Sequence, residues 1–251
     1  MTIGRLWIVL SVVALVASAG AAQADTMRIG TSGTYGPWQA GAGGEFTVTE
    51  WNGRSYATVS GEVLFGLSGI DGLFQTFCIE KNEYVYKNEL THVELSGEAR
   101  MGGKGGGNPD PLDMRTSYLY SNFWHGSLSD YDYFDNLVDD GKGRKDSAAA
   151  LQQAIWFLEN EIVSVSGQAA DWVQEAEAAV LGGTWTAALH AKVQVINNWD
   201  AYDAQTNTFK GVRQDQLIVV APLPAAGLLG FALLGGLGVL SGARRRRTRQ
   251  V

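Results

Sequence analysis

The chain has 251 residues, one cysteine, three histidines and a formal net charge of −7. Its basic residues are unevenly placed. With Arg5 and the five arginines after residue 243 set aside, 13 basic residues stand against 26 acidic ones, so the interior of the chain carries about −13. That charge argues against nucleic acid and anionic lipid headgroups as partners, and three scattered histidines (His92, His125, His190) lack metal-site spacing.

The first 24 residues read as a secretory signal peptide: Arg5, an apolar run over 6–19, then Ala22-Gln23-Ala24 as the site of cleavage. The apolar run is too short to span a bilayer, which takes roughly 20 residues. Residues 25–44 are rich in Gly, Ser and Thr and are expected to form a flexible lead-in to a single domain over 45–220. Alternation in Glu45–Glu50 predicts a half-buried strand. Further strands are expected within Tyr56–Leu67 and at Leu73–Glu80, followed by a hairpin or meander from Glu83–Tyr86 and Leu90–Leu95.

Gly102–Asp110 is a break, expected to be mobile. Its glycines lack the strand-to-helix setting and Lys-Ser/Thr ending of a phosphate loop. Asp113–Trp124 has helical spacing, and Asp130–Lys145 reads as a polar, solvated loop. Asp130, Asp132 and Asp135 lack the central Gly and closing Glu of a calcium loop. Helices are predicted over Asp146–Ile162, capped by Asp146 or Ser147, and over Gln168–Leu181, stopped by Gly182-Gly183. Late strands are expected at Lys192–Trp199 and Gln214–Val220. The fold class expected is α+β, an antiparallel sheet or barrel portion with a helical insertion.

Residues 225–243 form 19 uncharged, mostly apolar residues, enough for one transmembrane helix, and the arginines at 244–249 should stay on the cytoplasmic side. The order Pro222-Leu223-Pro224-Ala225, apolar span, arginine cluster resembles a PEP-CTERM sorting tail of the VPLPA variant, with Ala221 where Val is usual. The resemblance implies handling of segment 221–251 by an exosortase-type enzyme, membrane attachment through the C-terminal helix, and delivery to the cell surface of a Gram-negative bacterium.

A lone cysteine in an exported chain needs an explanation. Cys78 has three readings: a buried small hydrophobe, an intermolecular disulfide, or a partner elsewhere in the chain. The main helix bears on the third. On a wheel of 100° per residue starting at Ala148, Leu151, Ile155, Leu158, Ile162 and Trp156 define an apolar arc; Gln152 lies inside it at about 40° and Gln153 outside at about 140°. The first glutamine is therefore expected to be buried and the second to meet water.

Phe77-Cys78-Ile79 resembles the aromatic-Cys-hydrophobic motif of bacterial thioester domains, and Leu151-Gln152-Gln153-Ala154-Ile155-Trp156 resembles their glutamine motif. Gln214-Asp215-Gln216-Leu217 resembles a closing strand of such proteins. The resemblance implies an internal thioester between the Cys78 sulfur and the Gln152 side-chain carbonyl, covalent attachment to an amine-bearing surface or matrix partner, and no cofactor, metal or enzymatic turnover. Phe157 departs from the polar residue usual after the Trp. Glu159, the next inward polar residue, is read either as a helper acid or as a helix-end carboxylate reaching solvent. The alternative to adhesion is a non-covalent structural or matrix protein of the envelope with a free, buried cysteine. No GxSxG or HExxH motif supports an enzyme.

Overall fold

The computed structural model describes residues 24–30, 43–52, 74–133 and 143–220. Residues 1–23 of the signal peptide, the expected strands within Tyr56–Leu67, Asp135, Pro222, Leu223, Pro224, Ala225 and the apolar span lie outside the described residues.

Among the described residues the fold is α+β, a curled six-stranded antiparallel sheet with a short two-stranded ribbon and four helices inserted between its fourth and fifth strands in chain order. The strands are β1 (Asp25–Ile29), β2 (Phe46–Asn52), β3 (Phe74–Thr76), β4 (Leu90–Ser96), the short β5 (Glu98–Ala99) and β6 (Asp110–Pro111), β7 (Val193–Asp203) and β8 (Thr208–Val219). The main sheet runs β3-β2-β1-β4-β7-β8, and β5 pairs with β6 alone. The helices are α1 (Met114–Trp124), α2 (Arg144–Leu158), α3 (Gln168–Leu181) and α4 (Ala187–His190).

The two edges of the sheet curl toward each other. Tyr120 on α1 donates its hydroxyl to both Gln75 O on β3 and Leu217 O on β8, each at 2.9 Å. Thr76 Oγ1 donates to Leu217 O at 2.7 Å and accepts from Leu217 N–H at 3.0 Å. Just beyond β3, Cys78 forms an isolated antiparallel bridge with Gln216. One buried tyrosine and one buried threonine thus tie together strands whose backbone groups at a sheet edge would otherwise lack partners.

Several expectations are corrected. The lead-in is not loose throughout: Asp25–Ile29 is an inner strand between β2 and β4. Met27 and Ile29 face the core, while Arg28 reaches Glu50 across the sheet at 2.9 Å. The hairpin from Glu83–Tyr86 and Leu90–Leu95 does not form. Residues 83–86 are irregular, and β4 pairs with β1 and β7. Alternation along a strand reports its faces, not its neighbours.

The glycine-rich break is held in place rather than mobile. Glu161 accepts the N–H groups of Lys104 and Lys81, each at 2.8 Å. Gly103 has φ +53°, and a Cβ there would sit 1.8 Å from the Glu161 carboxylate, so the close wrap requires glycine. The expected solvated loop begins with Tyr131 and Tyr133 buried in the core.

Helix α1 is capped by Asp113, which accepts from Arg115 N–H at 2.7 Å. Helix α2 starts two residues earlier than expected: Gly143 is the N-cap, and its N–H donates to the Asp146 carboxylate at 3.2 Å. It stops at Leu158 because Asn160 takes φ +63°, with Glu161 N–H donating to Trp156 O at 2.7 Å and Asn160 N–H to Phe157 O at 3.2 Å. This left-handed cap closes the orphan carbonyls of the last turn. Gly183, at φ +70°, ends α3 in the same way. The one-turn α4 was not anticipated.

Candidate functional site

Cys78 and Gln152, 74 residues apart, meet in the core, each 2% exposed. Three hydrogen bonds lock the glutamine side chain. Its Oε1 accepts from the backbone N–H of Cys78 at 3.0 Å and of Gly44 at 2.9 Å, and its Nε2 donates to the carbonyl of Cys78 at 2.8 Å. The wheel orients α2 as observed: Gln152 is buried and Gln153 is exposed. Leu151, Ala154 and Ile155 are fully buried around it.

The loop before β2 closes over the glutamine. A Cβ on Gly43 would lie 2.2 Å from Gln152 Cγ, so the backbone can approach only because that residue is glycine. Next along the chain, Glu45 is fully buried and pairs with Arg144, 1% exposed, in the first turn of α2. Arg144 Nε reaches Glu45 Oε1 at 2.9 Å and its Nη2 reaches Oε2 at 2.6 Å. Arg144 Nη1 also donates to Tyr133 O at 2.6 Å, and the Tyr131 hydroxyl donates to Glu45 Oε1 at 2.7 Å. Burial works against the Arg144 charge, but Glu45 more than offsets it and holds the guanidinium above its ordinary pKa.

The sulfur sits between opposing influences. Burial pushes the Cys78 thiol well up, the Gln216 amide pulls it down, and Glu80 adds to the rise. Gln216 Nε2 donates to Cys78 Sγ at 3.6 Å. Gln214, on the same face of β8, donates to Glu80 Oε2 at 3.0 Å. Glu80 and Asp215 are both pushed up, by burial first; Glu80 is raised further by Asp215. Asp215 is held by Arg100 N–H at 2.9 Å, Asn198 N–H at 2.9 Å and the Asn197 amide at 2.8 Å.

Phe77 is fully buried, edge-on to Phe123 at 5.0 Å and to Tyr120 at 6.5 Å. Trp156 is 7% exposed, with Lys81 Nζ 5.8 Å from its ring. Trp124 packs on Phe74 at 5.5 Å. Glu159 does not reach solvent. It is 3% exposed, and Oε1 accepts from Asp113 N–H at 3.2 Å at the start of α1. Burial raises its pKa to about 8. Among the described residues no hydrogen bond joins it to Cys78 or Gln152.

Sequence reasoning missed Gly44, Glu45, Tyr131 and Arg144. With the helix expected to start at Asp146, Arg144 stood in the preceding loop, and no local signal marked it. Among the described residues no group of three His, Cys, Asp or Glu is placed to hold a metal ion, and no helix is long and apolar enough to cross a membrane.

Chemically, the site holds the acyl carbon of Gln152 against the backbone of the one cysteine, its oxygen lying between two backbone donors, Cys78 N–H and Gly44 N–H. Such a pair of N–H groups stabilises a tetrahedral oxyanion, each donor being worth about 10²–10³ in rate. Comparison with protein-family models, with curated proteins and with solved structures finds no match.

Proposed function

We propose that the chain is an exported, surface-sorted protein of a Gram-negative envelope that attaches covalently to amine groups of a surface or matrix partner through a Cys78–Gln152 thioester. The observation that carries this reading is the Gln152 carboxamide, pinned by both its oxygen and its nitrogen to the backbone of Cys78.

Ring closure forms the bond from Sγ to the Gln152 side-chain carbonyl carbon and breaks that carbon's bond to Nε2. The thiol proton leaves with the nitrogen, so the only product besides the thioester is ammonia. A thioester acylates amines more readily than an amide does, and burial keeps water from it. A primary amine of the partner, such as a lysine side chain, then takes the acyl group, returning the Cys78 thiol and leaving an amide on Gln152. Each site acts once, which is attachment rather than enzymatic turnover.

Export and sorting rest on the signal peptide of residues 1–24 and the tail of residues 221–251, with the PEP-CTERM-like motif and an exosortase-type processing enzyme as the expected partner. In this reading a C-terminal transmembrane helix follows the sheet and its helical insertion.

Intact mass of the freshly purified exported protein tests the thioester. The expected mass lies below the sequence value by one ammonia, and methylamine adds once. A full-mass protein with a titratable thiol, unchanged by methylamine, contradicts the reading and favours a non-covalent structural protein with a buried cysteine.

A further inference from the structure

We infer that the buried Arg144–Glu45–Tyr131 cluster positions the Gly44 N–H that completes the oxyanion hole around the Gln152 carbonyl. This rests on the thioester reading and extends it to three residues that act through the Gly44 backbone.

Helix α2 grips the segment 43–45 at two points, eight residues apart. Gln152 takes the Gly44 N–H at 2.9 Å, and Arg144 takes the adjacent Glu45 carboxylate through two hydrogen bonds of 2.9 and 2.6 Å. A bidentate guanidinium–carboxylate pair fixes direction as well as distance. The Tyr131 hydroxyl, at 2.7 Å from Glu45 Oε1, removes the remaining freedom of that carboxylate. The other donor, Cys78 N–H, belongs to the segment bridged to β8. One leg of the hole is therefore set by the sheet and the other by an ion pair on the helix that carries the carbonyl.

Stability does not account for this cluster. Both charges are stripped of water, Glu45 being 0% and Arg144 1% exposed, and such pairs are often matched or bettered by apolar residues of the same volume. What the pair supplies is a register between Gly44 and Gln152. A donor displaced by a few tenths of an ångström leaves the oxyanion poorly held, and oxyanion stabilisation depends on donors fixed beforehand.

The test uses the full exported protein and two variants. Tyr131→Phe removes one hydrogen bond to Glu45 and keeps the ring; Glu45→Gln removes the charge that Arg144 grips. Circular dichroism confirms folding. Two quantities are read: the rate of thioester opening by methylamine, followed by mass, and the infrared stretching band of the thioester carbonyl with isotope-labelled glutamine. Tyr131→Phe is expected to slow opening about fivefold, and Glu45→Gln about 100-fold. Both should move the carbonyl band to higher frequency as the Gly44 N–H loosens. If Glu45→Gln does not fold, Tyr131→Phe decides. The exposed control Gln153→Ala is expected to leave rate and band at wild-type values. Variants that open at the wild-type rate with an unmoved band overturn the positioning role while the thioester reading stands. A wild-type protein that has lost no ammonia overturns both.

Discussion

Two buried polar clusters flank the Cys78–Gln152 pair, and they are built on opposite electrostatic principles. On the α2 side, Arg144 and Glu45 are matched in charge. On the β8 side, Glu80 and Asp215 are both acids, and burial pushes each toward its neutral form. A matched pair is held by the attraction between its members. A pair of like acids must keep a proton, so its stability depends on pH. The protein thus places its charge-matched cluster against the carbonyl and its pair of like acids against the sulfur.

The largest expected effect comes from breaking the matched pair. Arg144→Ala leaves Glu45 buried without its cation and should cost about 3–5 kcal/mol in urea unfolding, because an uncompensated buried charge cannot recover its hydration. A loss below about 1 kcal/mol would mean that water reaches the cluster.

The second effect is the pH dependence. Glu159 is raised from 4.5 to about 8 and Glu83 from 4.5 to about 7, burial being the first cause of each; Glu80 and Asp215 are also raised. A carboxyl with a raised folded pKa binds its proton more tightly in the folded state. Its contribution is present below the unfolded pKa and is lost as pH rises through the folded one. Stability should therefore fall between about pH 5 and pH 8, by on the order of 2–3 kcal/mol, half-exposed Glu83 counting for little after solvent screening. Urea midpoints across that range check the sign. Stability that instead rises toward pH 8 would contradict the neutral-acid account.

The smallest effect sharpens the same point. Glu159→Gln keeps an acceptor for Asp113 N–H and removes the ionisation. It should flatten part of the slope and stabilise the fold at pH 8 by about 1–2 kcal/mol, with little change at pH 5.

How much was legible in the sequence follows the range of each interaction. The phase of α2, and with it the burial of Gln152 and exposure of Gln153, follows from helical periodicity. The bounds of α3 were legible because Gly182 and Gly183 stop it locally. Strand β1 was not, since five residues containing Arg28 and Asp25 in a Gly-rich neighbourhood carry little alternation, and the sheet supplies their order. The glycine loop was misjudged because the residue it wraps, Glu161, lies more than fifty positions away. Glu45 and Arg144 are 99 residues apart, and nothing local announces that each neutralises the other. Cys78 and Gln152 were singled out by motif resemblance, whereas the backbone donors that hold the glutamine oxygen emerge only from the fold.

The central claim is a single covalent link between one sulfur and one acyl carbon, and peptide-level mass spectrometry after methylamine treatment reads both ends of it. The account predicts that the Gln152 peptide alone gains one methyl group, as its primary amide becomes a methylamide, and that Cys78 becomes alkylatable in a one-to-one ratio with it. A Gln152 peptide recovered as the unmodified amide, with Cys78 equally alkylatable before and after the amine, would contradict it.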